Sequence, residues 1–396
     1  MKHSFPFFGS WRVVVSLAIV GILATALAEN FFGFDPTKFS GKQLKSSAFK
    51  SMIAAATKNR PPRNGKKYVI GFANIIRTVN FTQLVEKGIQ RNADAAGVDL
   101  VIGDNQGSGA TALQVAETFI QRNVDFVIEF QTDANFGAQI MQKMNAAKIP
   151  VVAIDIPMGE ATFFGANNPY SGFLGGSYLG QAAIAKWGAA KANQAYAVIG
   201  ELPQSGVVPK MRTDGQEAGI KAVLKNLASD HLIKIDTKNV LEESFKQMSN
   251  VLGRIPPGSP IIVTAINDGS TKGMVQAVKA AGRQDDLLAV GMGADELDAL
   301  LDEEPFVASV GYFPENYGNY LIPLSFMIMA GKTVPAGVLI SHVMVTPMNV
   351  CKIYPDRKCS ERAPKFSYRF PKADFESFMA ALRKDPELKD YQALLK

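Results

Sequence analysis

From residue 68 to Asp155, short apolar runs alternate with stretches whose apolar side chains recur at helical spacing. The runs at 68–73, 98–103, 125–130 and 149–155 predict four buried strands. Between them, Leu84, Val85 and Ile89 mark one helical face, Leu113, Ala116 and Ile120 a second, and residues 137–147 a third helix. Strand and helix in alternation predict parallel βαβ units, which place ligand sites in the loops beyond the strand carboxyl ends. The fourth strand, I-P-V-V-A-I-D, delivers the carboxylate of Asp155 to such an end.

A second series follows. A glycine-rich helix at 171–187 leads to strands at 195–200, 232–236, 261–266 and 287–290, separated by helices at 213–227, 241–252, 271–281 and 295–301. The repeated alternation predicts two similar α/β domains. Residues 167–169, 310–313 and 341–345 fall where the chain would pass between them. Upstream, one helix at 44–57 ends in N-R-P-P-R-N-G, whose two prolines stop it and whose Asn64-Gly65 supplies a turn. Downstream, Phe375, Phe378, Met379 and Leu382 form one face of a helix after Pro371, with Leu388, Tyr391 and Leu395 as a further apolar set. The simpler reading of that helix is packing onto the body of the protein.

The chain has 396 residues, 47% of them hydrophobic, enough for two cores. Residues 1–28 carry Lys2 and Arg12, an apolar run at 13–23 and then Ala26-Leu27-Ala28, the pattern of a secretory signal cleaved after Ala28. Lys2 and Arg12 account for two of the six net positive charges, leaving +4 after removal. That mild excess is spread along the chain, so no nucleic-acid footprint is expected. Cys351 and Cys359 are the only cysteines, and in an oxidising compartment they predict a disulfide closing a small loop. Metal binding is the poorer reading, because His342 is the only histidine near them and the spacing matches no zinc pattern.

Catalytic material is scarce. His231 and His342 are the only histidines after residue 28, far apart in sequence, and there is neither a G-x-S-x-G elbow nor a Walker loop. The glycines of 172–180 lie within a helical period rather than at a strand-to-helix turn, which points to close helix packing instead of phosphate binding. Gly291-Met292-Gly293 follows a strand, but Glu296 stands where a dinucleotide fingerprint needs a third small residue. The pairs Asp285-Asp286 and Glu303-Glu304 read as solvated turns. No cofactor and no metal site are expected.

In order and spacing, several motifs resemble the periplasmic sugar-binding proteins of the ribose and galactose type, the type I solute-binding components of ABC importers. They are F-T-Q-L-V-E-K-G-I-Q after the first strand, D-N-Q after the second, I-P-V-V-A-I-D, N-N-P-Y-S-G-F-L-G, I-I-V-T-A-I-N-D-G-S-T-K-G and V-A-S-V-G-Y-F-P-E-N-Y-G. The resemblance covers about residues 68–345 and implies two Rossmann-like parallel-sheet lobes joined by a three-strand hinge. It divides the chain into a signal (1–28), an N-terminal arm (29–67), lobe 1 (68–166 with 312–341), lobe 2 (167–311 with 342–350) and a C-terminal extension (351–396).

Residue by residue, the resemblance implies ligand contacts by Asp155, by the aromatic Phe81 and by Asn267 and Asp268 after a second-lobe strand. Arg212 stands near the family's arginine, Asn167 lies at the first crossing, and Tyr312 aligns with a hinge glutamine. Carboxylates and amides suit a polyol because each buried hydroxyl needs a partner, while an aromatic ring covers the apolar face of a sugar. Three positions depart: Ile156 replaces an arginine, Gly293 an aspartate and Tyr312 the glutamine. The expected ligand is therefore sugar-like but poorer in hydroxyls or differently arranged, and ribose itself is not expected. The implied protein is a periplasmic, monomeric, non-enzymatic binding protein that hands its solute to an inner-membrane ABC permease. Two rivals stay open: a periplasmic sensor reporting to a membrane kinase or chemoreceptor, and an exported α/β hydrolase.

Overall fold

Residues 42–131, 133–302 and 305–395 are described by a computed structural model of the chain. The signal segment, the start of the N-terminal arm and the Glu303-Glu304 pair lie outside the described residues. Five strands come first, β1 (Val69–Asn74), β2 (Asp99–Asp104), β3 (Phe126–Glu129), β4 (Val151–Ile154) and β5 (Thr162–Ala166). Five more follow, β6 (Tyr196–Glu201), β7 (Leu232–Asp236), β8 (Ile261–Ala265), β9 (Leu287–Gly293) and β10 (Phe306–Gly311), and then β11 (Gly337–Ile340) and β12 (Val343–Val345).

They form two six-stranded sheets, ordered β11-β5-β4-β3-β1-β2 and β12-β10-β9-β8-β6-β7. Every pairing is parallel except β10 with β12, which is antiparallel. Strands such as β4 and β8 are buried at every position, because crossover helices cover both faces of a parallel sheet. The chain passes from one sheet to the other after β5, after β10 and between β11 and β12.

Several elements differ from the sequence expectation. The helix expected at 213–227 runs Val207–Val223. Its first turn holds Pro209, whose missing N–H would have no partner there anyway, so the proline is admitted rather than excluded. Strand β9 continues to Gly293 through the Gly291-Met292-Gly293 segment. The strands β5, β10, β11 and β12 are additions, and so is the helix Gly318–Met329, which carries Pro323 inside it. That helix returns the chain to the first sheet, where Tyr317, Tyr320, Leu321 and Phe326 join Phe72 and Phe164 in one buried cluster. The N-terminal helix Ser46–Asn59 buries Phe49, Met52 and Ala56 in the same cluster, and Phe49 and Tyr68 both meet the edge of Phe326.

In the second lobe the helices Asn168–Trp187 and Val207–Val223 lie backbone against backbone. A Cβ at Gly176 would collide with the carbonyl of Gln216, so the glycine-rich segment serves close packing.

After β12 the chain wraps the second lobe like a belt. Val350, Tyr354 and Cys359 pack on one face of its sheet, and Cys351 and Cys359 are joined by a disulfide. Arg362 donates to the carbonyls of Leu300 and Phe306 below the sheet, and Ala363, Phe366 and Tyr368 pack on the opposite face. The helix Lys372–Leu382 and a 3-10 segment, Pro386–Leu394, follow. Among the described residues no helix is long and apolar enough to cross a membrane.

Candidate functional site

The carboxyl ends of the parallel strands in both sheets face a common cleft that opens to solvent. From the first lobe come Ile75, Phe81, Thr82, Phe130, Asp155 and Ile156. From the second come Ser205, Arg212, Asn239, Asn267 and Met292, and Tyr312 stands at a crossing between them.

Asp155 follows β4 directly and adopts a left-handed φ of 57°, a conformation a non-glycine side chain occupies at a cost of order 1–3 kcal/mol. Two bonds to the neighbouring strand hold it there: its N–H donates to the Phe164 carbonyl at 2.9 Å, and its Oδ1 accepts from Ala166 N–H at 3.1 Å. Gly165 makes room for this turn, since a Cβ there would strike Asp155 Oδ1. Burial raises the Asp155 pKa, opposed by the Arg212 charge and the Ala166 N–H.

Arg212 projects from the first turns of the helix Val207–Val223. Its Nε donates to Asn168 Oδ1 at 2.9 Å and its Nη1 to the Ile266 carbonyl at 2.6 Å. The guanidinium carbon lies 4.9 Å from the Tyr312 ring centre, a cation–π contact. Tyr312 in turn donates its hydroxyl to Ser171 Oγ at 2.9 Å and meets the edge of Phe81. Arg212 is thus fixed by three elements before any ligand arrives, which removes part of the ordering cost of binding.

Asn267 caps the helix Asp268–Ala280: its Oδ1 accepts from Ser270 N–H at 2.7 Å, and its Nδ2 donates to Asn239 Oδ1 at 2.7 Å. It lines the cleft with both polar atoms already engaged. Asn239 and Ser205 also line the cleft, although neither belongs to a motif named above. Asn239 sits in left-handed backbone after β7, a strand carboxyl end where a turn-forming Asn is itself a signal. Ser205 lies before a helix whose true start was hidden behind Pro209.

Two sequence candidates stand apart from the cleft lining. Asp268 is turned into the second lobe, where Oδ2 accepts from the N–H groups of Asp295 and Glu296 and Oδ1 from Ser309 Oγ. Burial raises its pKa to about 6. Asn167 caps the helix Asn168–Trp187 by accepting from Tyr170 N–H, and its own N–H donates to His342 Nε2. Among the described residues no cluster of His, Cys, Asp or Glu has the makeup of a metal site.

The arrangement is one carboxylate and one guanidinium, with the polar side chains of Thr82, Ser205, Asn239, Asn267 and Tyr312, in a cleft whose apolar wall includes Ile75, Phe81, Phe130, Ile156 and Met292. It suits a small neutral solute with a few hydroxyls and an apolar face.

A profile of the periplasmic binding protein domain matches residues 70–333. The ribose import binding protein RbsB of Bacillus subtilis is 25% identical over 280 residues, which are 68% of this chain and 85% of that protein. An ABC transporter solute-binding protein from Bacillus halodurans, solved with bound myo-inositol, superposes with a TM-score of 0.61 at 23% identity, covering 74% of this chain and 98% of its own. A periplasmic solute-binding protein from Actinobacillus succinogenes, solved with bound D-allose, superposes with a TM-score of 0.59 at 17% identity, covering 71% and 98%.

Proposed function

The chain belongs to the periplasmic binding protein family, and from that membership we propose that it captures a sugar or polyol in the cleft between its lobes and delivers it to an ABC permease of the inner membrane. It is a binding protein rather than an enzyme. Export follows from the signal segment, with cleavage after Ala28, and the mature protein works in the periplasm as a monomer.

The observation that carries this reading is the cleft itself, to which both lobes contribute polar side chains. A solute bridging Asp155 on one lobe and Arg212 on the other binds the closed arrangement better than an open one, and only such differential affinity shifts a two-state equilibrium. The closed surface is then what the permease recognises. The relatives solved with myo-inositol and D-allose support a polyhydroxylated ligand. Ile156 beside Asp155 and the apolar wall favour one with fewer hydroxyls than ribose-type sites satisfy.

The test is a calorimetric and thermal-shift screen of pentoses, hexoses, deoxy sugars, inositols and short polyols against the purified mature protein. A saturable hit that Asp155→Asn weakens supports the assignment. Binding confined to amino acids or peptides, or chemical conversion of a bound sugar, would overturn it.

A further inference from the structure

Closure about three crossings requires the lobes to rotate relative to one another, so an apolar contact that joins them beside the crossings resists that rotation. The end of the chain makes one. Met379, Leu382, Leu388, Leu394 and Leu395 form a single buried cluster with Phe163 of β5 in the first lobe and with Val208 and Met211 of the second.

The two halves of this segment are anchored differently. The helix Lys372–Leu382 is fixed to the second lobe by an aromatic stack in which Phe375 meets Tyr170 and Phe173 at ring-centre distances of 5.7 and 5.1 Å. Phe370 adds to it at 5.5 and 5.4 Å from the same two rings. The terminal segment Pro386–Leu394 instead reaches the edge strand of the first lobe, where a Cβ at Gly337 of β11 would collide with Leu394. Arg383 Nε donates to the Leu395 carbonyl at 3.2 Å and ties the halves together.

We propose that residues 372–395 are a cross-lobe clamp, which holds the lobes in their present mutual orientation without ligand. The clamp lies beyond residue 333, where the family match ends. Asn80 Nδ2 of the first lobe donates to the Asp295 carbonyl of the second, so the present orientation is a closed one. By holding it, the clamp raises the fraction of ligand-free protein already in the binding-competent arrangement, and apparent affinity scales with that fraction.

The test uses the mature, ligand-free protein carrying spin labels at the exposed positions Gln121 in the first lobe and Asn250 in the second, read by pulsed dipolar spectroscopy. Leu394→Asp disrupts the clamp from its own side. Gly337→Val displaces Leu394 from the side of the first lobe while leaving the segment's sequence intact, and its β-branched side chain suits a strand. Each variant is first shown to be folded by its thermal transition. A longer-distance population absent from the parent, present in both variants, is the expected result. Distance distributions identical to the parent's in folded variants would overturn the proposal. Because no ligand enters the measurement, the outcome is independent of the solute assignment.

Discussion

His342 accepts the backbone N–H of Asn167 at its Nε2, at 3.0 Å, while its Nδ1 lies 3.2 Å from the carbonyl of Gly311. The partners assign the tautomer: a backbone N–H can only donate and a carbonyl can only accept, so the ring is neutral with its proton on Nδ1. The imidazole sits in the third crossing and bonds the other two. It is buried, lies against Tyr312, and its pKa is lowered to about 3, first by burial and further by the Arg212 charge.

Acid therefore loosens the molecule through this ring. The folded pKa lies below the ordinary value of 6.5, so the unfolded chain takes up a proton that the folded one refuses as pH falls from 6.5 toward 3. Stability drops by about 1.4 kcal/mol per pH unit across that window from this group alone. His342→Gln should lower the melting temperature at pH 7 but flatten its fall between pH 6.5 and 3. An unchanged slope would show that other groups govern the acid limb.

Glu129 gives the opposite sign. It ends β3 fully buried, its Oε1 accepting from Asn105 Nδ2 at 2.9 Å, and burial pushes its pKa from 4.5 up to about 8. The folded state keeps a proton that the unfolded chain releases, so this group's stabilisation is intact below pH 4.5 and is lost as pH rises through 8. Glu129→Gln keeps the acceptor to Asn105 and removes the titration. It should stabilise the protein at pH 8 by on the order of a few kcal/mol and leave it nearly unchanged at pH 4, as read by denaturant unfolding.

Asp155→Asn preserves the left-handed turn, which Asn tolerates, and removes the charge. Affinity for the solute should fall by about ten- to a hundredfold, the equivalent of one charged hydrogen bond. Gly165→Ala should do as much without replacing a polar side chain, by driving a methyl into Asp155 Oδ1. Calorimetric titration of both variants checks the pair.

Arg212→Lys keeps the charge but loses the fork that serves Asn168 and Ile266 and the stacking on Tyr312. Stability should fall by about 2 kcal/mol and solute affinity by at least tenfold, measured by thermal unfolding and calorimetry.

Reduction of Cys351–Cys359 releases a loop in the belt rather than in either sheet core. It should cost roughly 2–3 kcal/mol by the chain-entropy argument and leave solute affinity at the cleft largely intact. A melting scan with and without a thiol reductant reads the difference.

Both sheets were legible in the sequence where strands are continuous apolar runs, because burial on two faces leaves no other composition. The segments T-F-F-G-A of β5, F-V-A-S-V-G of β10, G-V-L-I of β11 and V-M-V of β12 were not, since a short run beside a crossing has no period to reveal it. In the cleft, Asp155, Phe81, Arg212, Asn267 and Tyr312 come together from positions chosen by resemblance and by strand ends. Asp268 lies outside the cleft lining, because Asn-Asp after a strand gives no sign of which side chain faces the cleft. The pair divides the tasks: Asn267 caps its helix from the cleft wall, and Asp268 gathers the backbone of the next loop. His342 seemed a stray histidine near two cysteines, and only three segments meeting in space make it a joint.

The antiparallel strand β12 has a geometric consequence of its own. Every other strand of its sheet runs toward the cleft, so β12 starts the chain away from it, and the residues after Val345 have to make their way round the second lobe. To regain the first lobe, the polypeptide has to travel down one face and back up the other, and residues 346–370 are the tether that spans this route. Reach, rather than local affinity, then decides whether Leu394 finds Gly337: a deletion midway along the tether would strand the terminus while leaving every one of its own apolar side chains in place.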